Sequence, residues 1–392
     1  HLYCDSARMM DRPLAGIAIE SVDGSHLSNI VASNITMDNV RTPIFIRLGH
    51  RGGNSERTRQ VEPRVPGTIE DVVLSDITAE HAGFESSITG LAGHPVRNVT
   101  LSDIKLAYAG GGEPDWVTEQ VPDKTVIAKY PESQMFGRLP AYGLYVRHVE
   151  GLRLTHMAIR CLSADARPAL VCDDVSTVEL EALNVAAAPA QYPVLWFIDT
   201  DRVALRRCTA PEGTKTYLAV EPETAGAVVM DACDTSNAAT PLARLKRGEL
   251  LAADLPAFRE RSPGLVVIQA DTMRLSHPMA AVSDAALPSA RAIEVPLAGG
   301  REAGSARCRF AVAEAGDYVV WVRALAPSGE ADSFYVAIDG GDAALSDLSK
   351  LGAWNWDRVR ERSGDKPSMQ SFKTFPLAAG DHVLTLRNRE CG

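Results

Sequence analysis

Two short stretches decide how this chain folds: Asp71-Val72-Val73-Leu74-Ser75-Asp76-Ile77 and Asn98-Val99-Thr100-Leu101-Ser102-Asp103-Ile104. They carry one pattern of polar, apolar and small residues, 27 positions apart. Five further segments repeat it: Asn29 to Ile35, Gly151 to Met157, Thr177 to Leu183, Arg202 to Cys208 and Ala227 to Cys233. Taking the second residue of each as anchor gives positions 30, 72, 99, 152, 178, 203 and 228, in steps of 42, 27, 53, 26, 25 and 25. Self-similarity at a fixed period marks stacked repeats, so it outranks any single element. The two long steps hold extra material. One carries the polar stretch from Gly52 to Gly67; the other runs from Gly110-Gly111-Gly112 to Pro140, as one long insertion or as cover for a further coil.

Each repeat also holds a second apolar run: Gly16-Ile17-Ala18-Ile19, Pro43-Ile44-Phe45-Ile46, Gly143-Leu144-Tyr145-Val146, Pro168-Ala169-Leu170-Val171 and Pro193-Val194-Leu195-Trp196. These runs are short, rich in β-branched residues and bounded by turn formers, so they read as strands. Leucine-rich repeats need a Leu and Asn spacing that is missing, and a propeller blade needs four strands over about 40 residues. A parallel β-helix fits: one coil per repeat, coils ~4.8 Å apart, seven coils reaching roughly 34 Å. Ile35, Ile77, Ile104, Met157, Leu183, Cys208 and Cys233 are then expected to stack as one inward column. Asn29, Asp71 and Asn98, and likewise Asn34, Asp76 and Asp103, should form polar columns at bends, where such side chains cap turn amides.

The 392 residues leave room for two or three domains. No run approaches the ~18 consecutive apolar residues of a membrane-spanning helix. Forty basic against 50 acidic residues give a net charge of −10, which argues against broad nucleic-acid binding. Seven cysteines with no CxxC pair make neither a disulfide scaffold nor a zinc site, and no metal or cofactor is expected. Cys208 and Cys233 share a repeat position; they either bond or simply continue the apolar column. The chain opens His1-Leu2-Tyr3-Cys4 and closes from Leu384 to Gly392 on an alternating pattern without an evident partner. Both ends are expected to cut through folded units, with any targeting segment upstream.

The repeat fades at Pro241. Three parts are expected: a β-helix over 1–240, a linker over 241–263 and an antiparallel β-sandwich over 264–392. In the last part alternation has period two, as in Leu265 to Ile268, Arg307 to Val312, Tyr318 to Arg323, Ser333 to Ile338 and His382 to Leu386, with turn signals between. Trp354-Asn355-Trp356 reads as a loop, where indole faces either pack on sugar rings or plug the sandwich. The strand order, this Trp pair and Leu377 to His382 resemble a jelly-roll carbohydrate-binding module, which makes Trp354 and Trp356 carbohydrate-binding candidates.

The first part resembles the C-terminal part of a glycoside hydrolase family 28 enzyme, the polygalacturonase-like pectin hydrolases. The likeness is carried by Gly16 to Gly24, Pro43 to Arg51, Ile88 to Pro95, Leu139 to His148 and Arg167 to Val171. It implies a right-handed parallel β-helix, a secreted or periplasmic protein and a pectin-like polysaccharide substrate. It also implies inverting hydrolysis, in which one carboxylic acid protonates the leaving oxygen while other carboxylates activate water. The family's motifs Asn-Thr-Asp, Asp-Asp, His-Gly and Arg-Ile-Lys are expected before Gly16, so this chain should hold no catalytic residue and hydrolyse nothing by itself. Asp173-Asp174 and Arg244-Leu245-Lys246 imitate two of them without a His-Gly between. Registration sets Asp173 and Asp174 beside Arg147 and His148, where ion pairing accounts for them.

A pectin hydrolase must also hold substrate carboxylates, a task for Arg forks. Arg47, His50 and Arg51 follow one apolar strand, and Glu20 and Asp23 follow its equivalent one coil earlier. These five are the substrate-binding candidates, with a surface salt-bridge cluster as the other reading. His94 and His148 carry less weight. Two alternatives stand beside the hydrolase: a non-catalytic polysaccharide-binding β-helix, and a polysaccharide lyase, for which no calcium-holding acidic cluster is evident.

Overall fold

Parallel strands need a crossover of a dozen or more residues, and a repeat near 25 residues supplies one per coil. The computed structural model describes residues 12–50, 65–118, 121, 131–187, 189, 191–221, 228–245, 255–276, 278–284, 286–287, 291–296, 304–362 and 370–389. It divides into two units, His1–Arg247 and Gly248–Gly392.

The first unit is a parallel β-helix. Eight strands form one ladder in the order β1 (Ala15–Ser21), β3 (Thr42–Leu48), β5 (Ser86–Thr89), β7 (Leu144–Thr155), β9 (Leu170–Glu181), β11 (Leu195–Arg206), β12 (Thr214–Val220) and β14 (Ala238–Arg244). A second face runs through β2 (His26–Asp38), β4 (Thr68–Ala82), β6 (Val96–Tyr108), the far halves of β7, β9 and β11, and β13 (Val228–Asp231). Two short strands, β8 (Ala158–Cys161) and β10 (Asn184–Val185), continue from the end of β6.

All seven repeat anchors pair in parallel register: Ile30 with Val72, then Val99, Leu152, Val178, Val203 and Val228. The inward column follows the same register, with Ile77, Ile104, Met157, Leu183 and Cys208 fully or almost fully buried. Burying such a side chain contributes about 1.5–3 kcal/mol. Because each residue repeats its neighbour's environment, the core is continuous from Ile19 to Val220.

The bend columns are where expected, and their physics is backbone conformation. Asn34, Asp76, Asp103, His156, Ala182, Arg207 and Ala232 sit one residue before the inward column, all with φ between 50° and 58°. Asn and Asp tolerate this left-handed region best among non-glycine residues. The later coils hold Ala, Arg and Ala in the same conformation, so the bend is imposed by stacking and the side chain only eases it. Asn29, Asp71 and Asn98 form a second such column, linked by an Asn98 Nδ2 to Asp71 Oδ1 hydrogen bond of 2.9 Å.

Ser86 pairs with Leu144 and Val99 with Leu152, so the long step between β6 and β7 conceals no coil. It is an insertion with a 3-10 turn, Pro114–Thr118. The helix also runs past Pro241: β14 pairs with β12, and Leu242 continues the column of Leu195 and Leu218. Cys208 and Cys233 are free thiols, as are Cys161, Cys172 and Cys308. Burial pushes the Cys208 thiol up to about 11 and Cys308 to about 12.

The second unit is a two-layer β-sandwich. One layer orders Ala257–Phe258, Ser305–Val312, Gly380–Asn388, Ser333–Ile338 and Ala344–Asp347, antiparallel except for the first pair. Ala257–Phe258 lies inside the stretch expected to be linker. Three two-stranded antiparallel ladders share the unit's core: Gly316–Tyr318 with Phe375–Leu377, Trp321–Ala324 with Asn355–Arg358, and Arg360–Arg362 with Gln370–Phe372. Phe310, Val336 and Leu384 meet Val359, Phe375 and Leu377 in one core. The terminal strand expected to lack a partner is paired on both edges. Among the described residues, no helix is long and apolar enough to cross a membrane.

His382 couples the sandwich to pH. Its two ring nitrogens face Asp339 Oδ2 at 2.6 Å and the Ala378 carbonyl at 2.8 Å, so both contacts are hydrogen bonds only when the ring carries both protons. Burial alone would lower its pKa, but the Asp339 and Ala378 hydrogen bonds and the Asp339 and Asp381 charges together outweigh it, and the pKa is raised above 6.5. A raised folded pKa means a stabilisation fully present below about 6.5 and lost as pH climbs through the folded value. The midpoint of thermal unfolding should therefore fall above that point, less so in His382→Gln, with an NMR titration of the ring giving the folded pKa.

Stacking gives a second expectation. Ile104→Ala should destabilise the β-helix by about 2–5 kcal/mol and Asp103→Val by about 1–2 kcal/mol. Ala182→Gly should stabilise it, relieving left-handed strain. Denaturant unfolding of the three variants checks the order.

Candidate functional site

Alternation along the eight-strand ladder sends one residue set into the core and the next outward. The outward set forms two columns: Phe45, Ser87, Tyr145, Val171 and Trp196, and beside it Glu20, Arg47, Thr89, Arg147, Asp173 and Ile198. This outer face is the candidate site, because it gathers Glu20, Arg47, Arg147 and Asp173; its Phe45, Ser87, Tyr145, Val171 and Trp196 are buried.

Part of the face is roofed by the insertion. Arg47 is 1% exposed; its guanidinium donates to the Gly90 carbonyl at 2.8 Å and lies 5.1 Å from the Phe136 ring centre. Gly90 must be glycine here, since a Cβ would come within 2.4 Å of the His148 carbonyl oxygen. Arg47 therefore anchors the roof and does not stand open to a ligand. Ser133 Oγ donates to the Leu14 carbonyl at 2.7 Å, fastening the same segment to the first coil.

A buried ionic cluster holds the roof's other side. Arg167 grips Asp165 through two hydrogen bonds of 3.0 and 2.9 Å and reaches Glu85 at 3.1 Å and the Leu139 carbonyl at 3.2 Å. Trp116 lies between Arg167 and Arg138, 5.1 and 4.5 Å from ring centre to guanidinium. Burial would raise the Asp165 pKa, but the Arg167 hydrogen bonds and charge win and lower it. At Glu85 burial dominates and the pKa is raised.

Farther along, the face carries Arg147, His148, Asp173 and Asp174. Arg147 pairs with Asp173 in register, their side chains 3.7 Å apart, while Tyr145 Oη donates to Asp173 at 3.2 Å. Arg147 also donates to the Val121 carbonyl at 3.0 Å. His148 Nδ1 meets Asp174 Oδ2 at 2.5 Å. His148, Asp174 and Asp199 share a left-handed bend, φ 53°, 57° and 44°, which turns their side chains to the corner. Desolvation raises the Asp199 pKa, reinforced by Asp174, Asp173 and Asp201. The expected ion pairing of Asp173 and Asp174 is thus what the ladder builds, and both carboxylates already accept hydrogen bonds from this chain.

The remaining candidates are scattered. Glu20 is exposed on the ladder's first strand, in register with Arg47, and partial desolvation raises its carboxyl pKa. Asp23 is exposed beyond the strand end, and His50 is half-buried, with a buried Nδ1 that lacks a hydrogen-bond partner. Arg51 lies outside the described residues. The five do not converge on one point. Trp354-Asn355-Trp356 is no loop: Asn355–Arg358 is a strand, Trp354 is half-buried with its indole N–H on Asp284 at 2.8 Å, and Trp356 is 60% exposed. Among the described residues, no three His, Cys, Asp or Glu side chains are grouped to hold a metal. The roof cluster of Glu85, Asp165 and Arg167 escapes sequence reading, because its members are 82 positions apart and meet only through stacking.

Fold and face together define a parallel β-helix with a partly roofed, charged outer sheet. Residues 10–127 match the model of the glycosyl hydrolases family 28. That stretch covers β1 to β6 and enters the insertion. No curated protein matches the sequence. Two solved structures are similar at low level. One is the enzymatically active domain of tailspike protein 4 from bacteriophage CBA120, at 9% identity over 92% of this chain and 54% of that one, TM-score 0.25. The other is tailspike gp49 of Acinetobacter baumannii bacteriophage Fri1, a capsular polysaccharide depolymerase, at 11% identity over 94% and 70% of the two chains, TM-score 0.15. This chain spans about half the length of the first.

Removing Arg167 would leave two carboxylates buried without their cation. Arg167→Met should cost about 3–5 kcal/mol of stability, with partial recovery on adding Glu85→Gln and Asp165→Asn. Thermal unfolding of the single and triple variants checks the sign.

Proposed function

We propose that this chain belongs to a polysaccharide-degrading glycoside hydrolase and supplies part of its β-helix and a glycan-holding unit. The substrate class is a uronic-acid or rhamnogalacturonan-type polymer, cleaved with inversion. The single observation that supports this reading is the family 28 match over residues 10–127, the first coils of a helix whose register runs on to Val228.

Inverting hydrolysis needs an acid and a base about 6.5–9.5 Å apart with room for water between them. Asp173 and Asp174 make poor candidates. They are neighbours on one strand, and Arg147, Tyr145 and His148 already hold them. The family's His-Gly and Arg-Ile-Lys motifs occur nowhere in the 392 residues. The acid and base therefore belong to sequence outside them.

Reducing-end release from polygalacturonate and rhamnogalacturonan tests this. The chain alone should release none, and a longer chain restoring an Asp-Asp and an Arg-Ile-Lys ahead of it should release them. Rapid release by these 392 residues, abolished by Asp173→Asn or Asp174→Asn, would move the chemistry onto this face.

A further inference from the structure

The second unit exposes a surface that the β-helix chemistry does not use. Trp321–Ala324 and Asn355–Arg358 are antiparallel, with Trp321 opposite Arg358 and Arg323 opposite Trp356. Residues directly opposite, and those two apart on one strand, share a face. Trp321, Arg323, Trp356 and Arg358 therefore all stand on one side, while Val322 and Asp357 turn inward, Asp357 only 6% exposed. Trp321 is 56% and Trp356 60% exposed. Their Cβ atoms are diagonal neighbours, about 7–8 Å apart or somewhat less.

The next ladder extends the surface. Phe372 is 58% exposed, and the Arg358 and Arg360 guanidinium groups lie 4.6 and 5.5 Å from its ring centre. Stacking on an aromatic ring orients a guanidinium without neutralising it. Among the described residues, neither Arg323 nor Arg358 is paired with a carboxylate. Three large exposed aromatics beside two cations with no carboxylate partner among the described residues are a costly surface to leave open on a protein of net charge −10.

We propose that this face binds an acidic polysaccharide, with the Trp321 and Trp356 indoles under successive sugar rings and Arg323 and Arg358 on their carboxylates. The aromatic spacing suits the flat C–H faces of pyranose rings. The guanidinium fork suits a carboxylate, which it takes in two parallel hydrogen bonds. The choice of a glycan over a nucleic acid rests on the function proposed above. Of the tryptophan pair read in the sequence, Trp356 belongs to this face, and Trp354 is replaced by Trp321 from the neighbouring strand.

Binding without cleavage is the test, read by affinity electrophoresis and calorimetry of the full chain. The ligands are polygalacturonate, its methyl ester and single-stranded DNA. Wild type should bind polygalacturonate more tightly than the ester. Trp321→Ala with Trp356→Ala should weaken both by about tenfold or more, a loss of ~1.4 kcal/mol or more. Trp321→Phe with Trp356→Phe should retain binding. Arg323→Gln with Arg358→Gln should level the two glycans and flatten the salt dependence. All four positions are on the open side of a strand pair, so the variants should unfold like wild type. No binding of polygalacturonate, binding indifferent to these changes, or preference for DNA would each overturn the proposal. A failure of hydrolysis by the longer chain would sink the function reading while leaving this binding result intact.

Discussion

Each coil of the first unit must present its backbone N–H and C=O groups in step with the coils on either side. An unpaired buried backbone group costs about as much as a lost hydrogen bond, so a shift of one coil propagates to the next. That shared register explains why unlike residues adopt like conformations. Ala182, Arg207 and Ala232 occupy a left-handed bend that Asn34, Asp76 and Asp103 occupy more comfortably, because all six sit at the same point of the same ladder. It also explains how an insertion of some thirty residues fits between β6 and β7 without disturbing the pairing of Val99 with Leu152. The insertion leaves the helix and returns at the level where it left.

Much of this was legible in the sequence because stacking is written as repetition. The anchors Ile30 to Val228 and the inward column ending in Cys208 and Cys233 required only counting. What counting misses is where a repeat stops looking like itself. Ala238–Arg244 has lost the pattern's polar bend residues, yet Leu242 still caps the column of Leu195 and Leu218. In the sandwich, the run from Tyr318 to Arg323 reads as one strand, whereas Gly316–Tyr318 and Trp321–Ala324 pair with different partners. Pairing between distant segments leaves no mark on local alternation.

The site was less legible than the fold. Register placed Asp173 and Asp174 beside Arg147 and His148 correctly, since that is again a matter of counting. Arg47 shows the opposite case. Its position at a strand end is readable, but whether its outer side meets water depends on Phe136, almost ninety residues away in an insertion with no repeat to register it. The aromatic face likewise needs two strands that are remote in sequence. Trp356 is visible in a conspicuous tripeptide, and Trp321 is hidden in an ordinary-looking strand until the two are laid side by side.

The buried sulfurs have a practical consequence. Only a thiolate reacts readily with an alkylating reagent, and the raised pKa values of Cys172, Cys208 and Cys308 suppress that form as well as shielding it. Two of these lie in the core of the β-helix, and the third lies in the sandwich core. Their modification by iodoacetamide, followed by peptide mapping, would act as a set of clocks. It would report separately when each end of the chain opens, without any label having to be introduced.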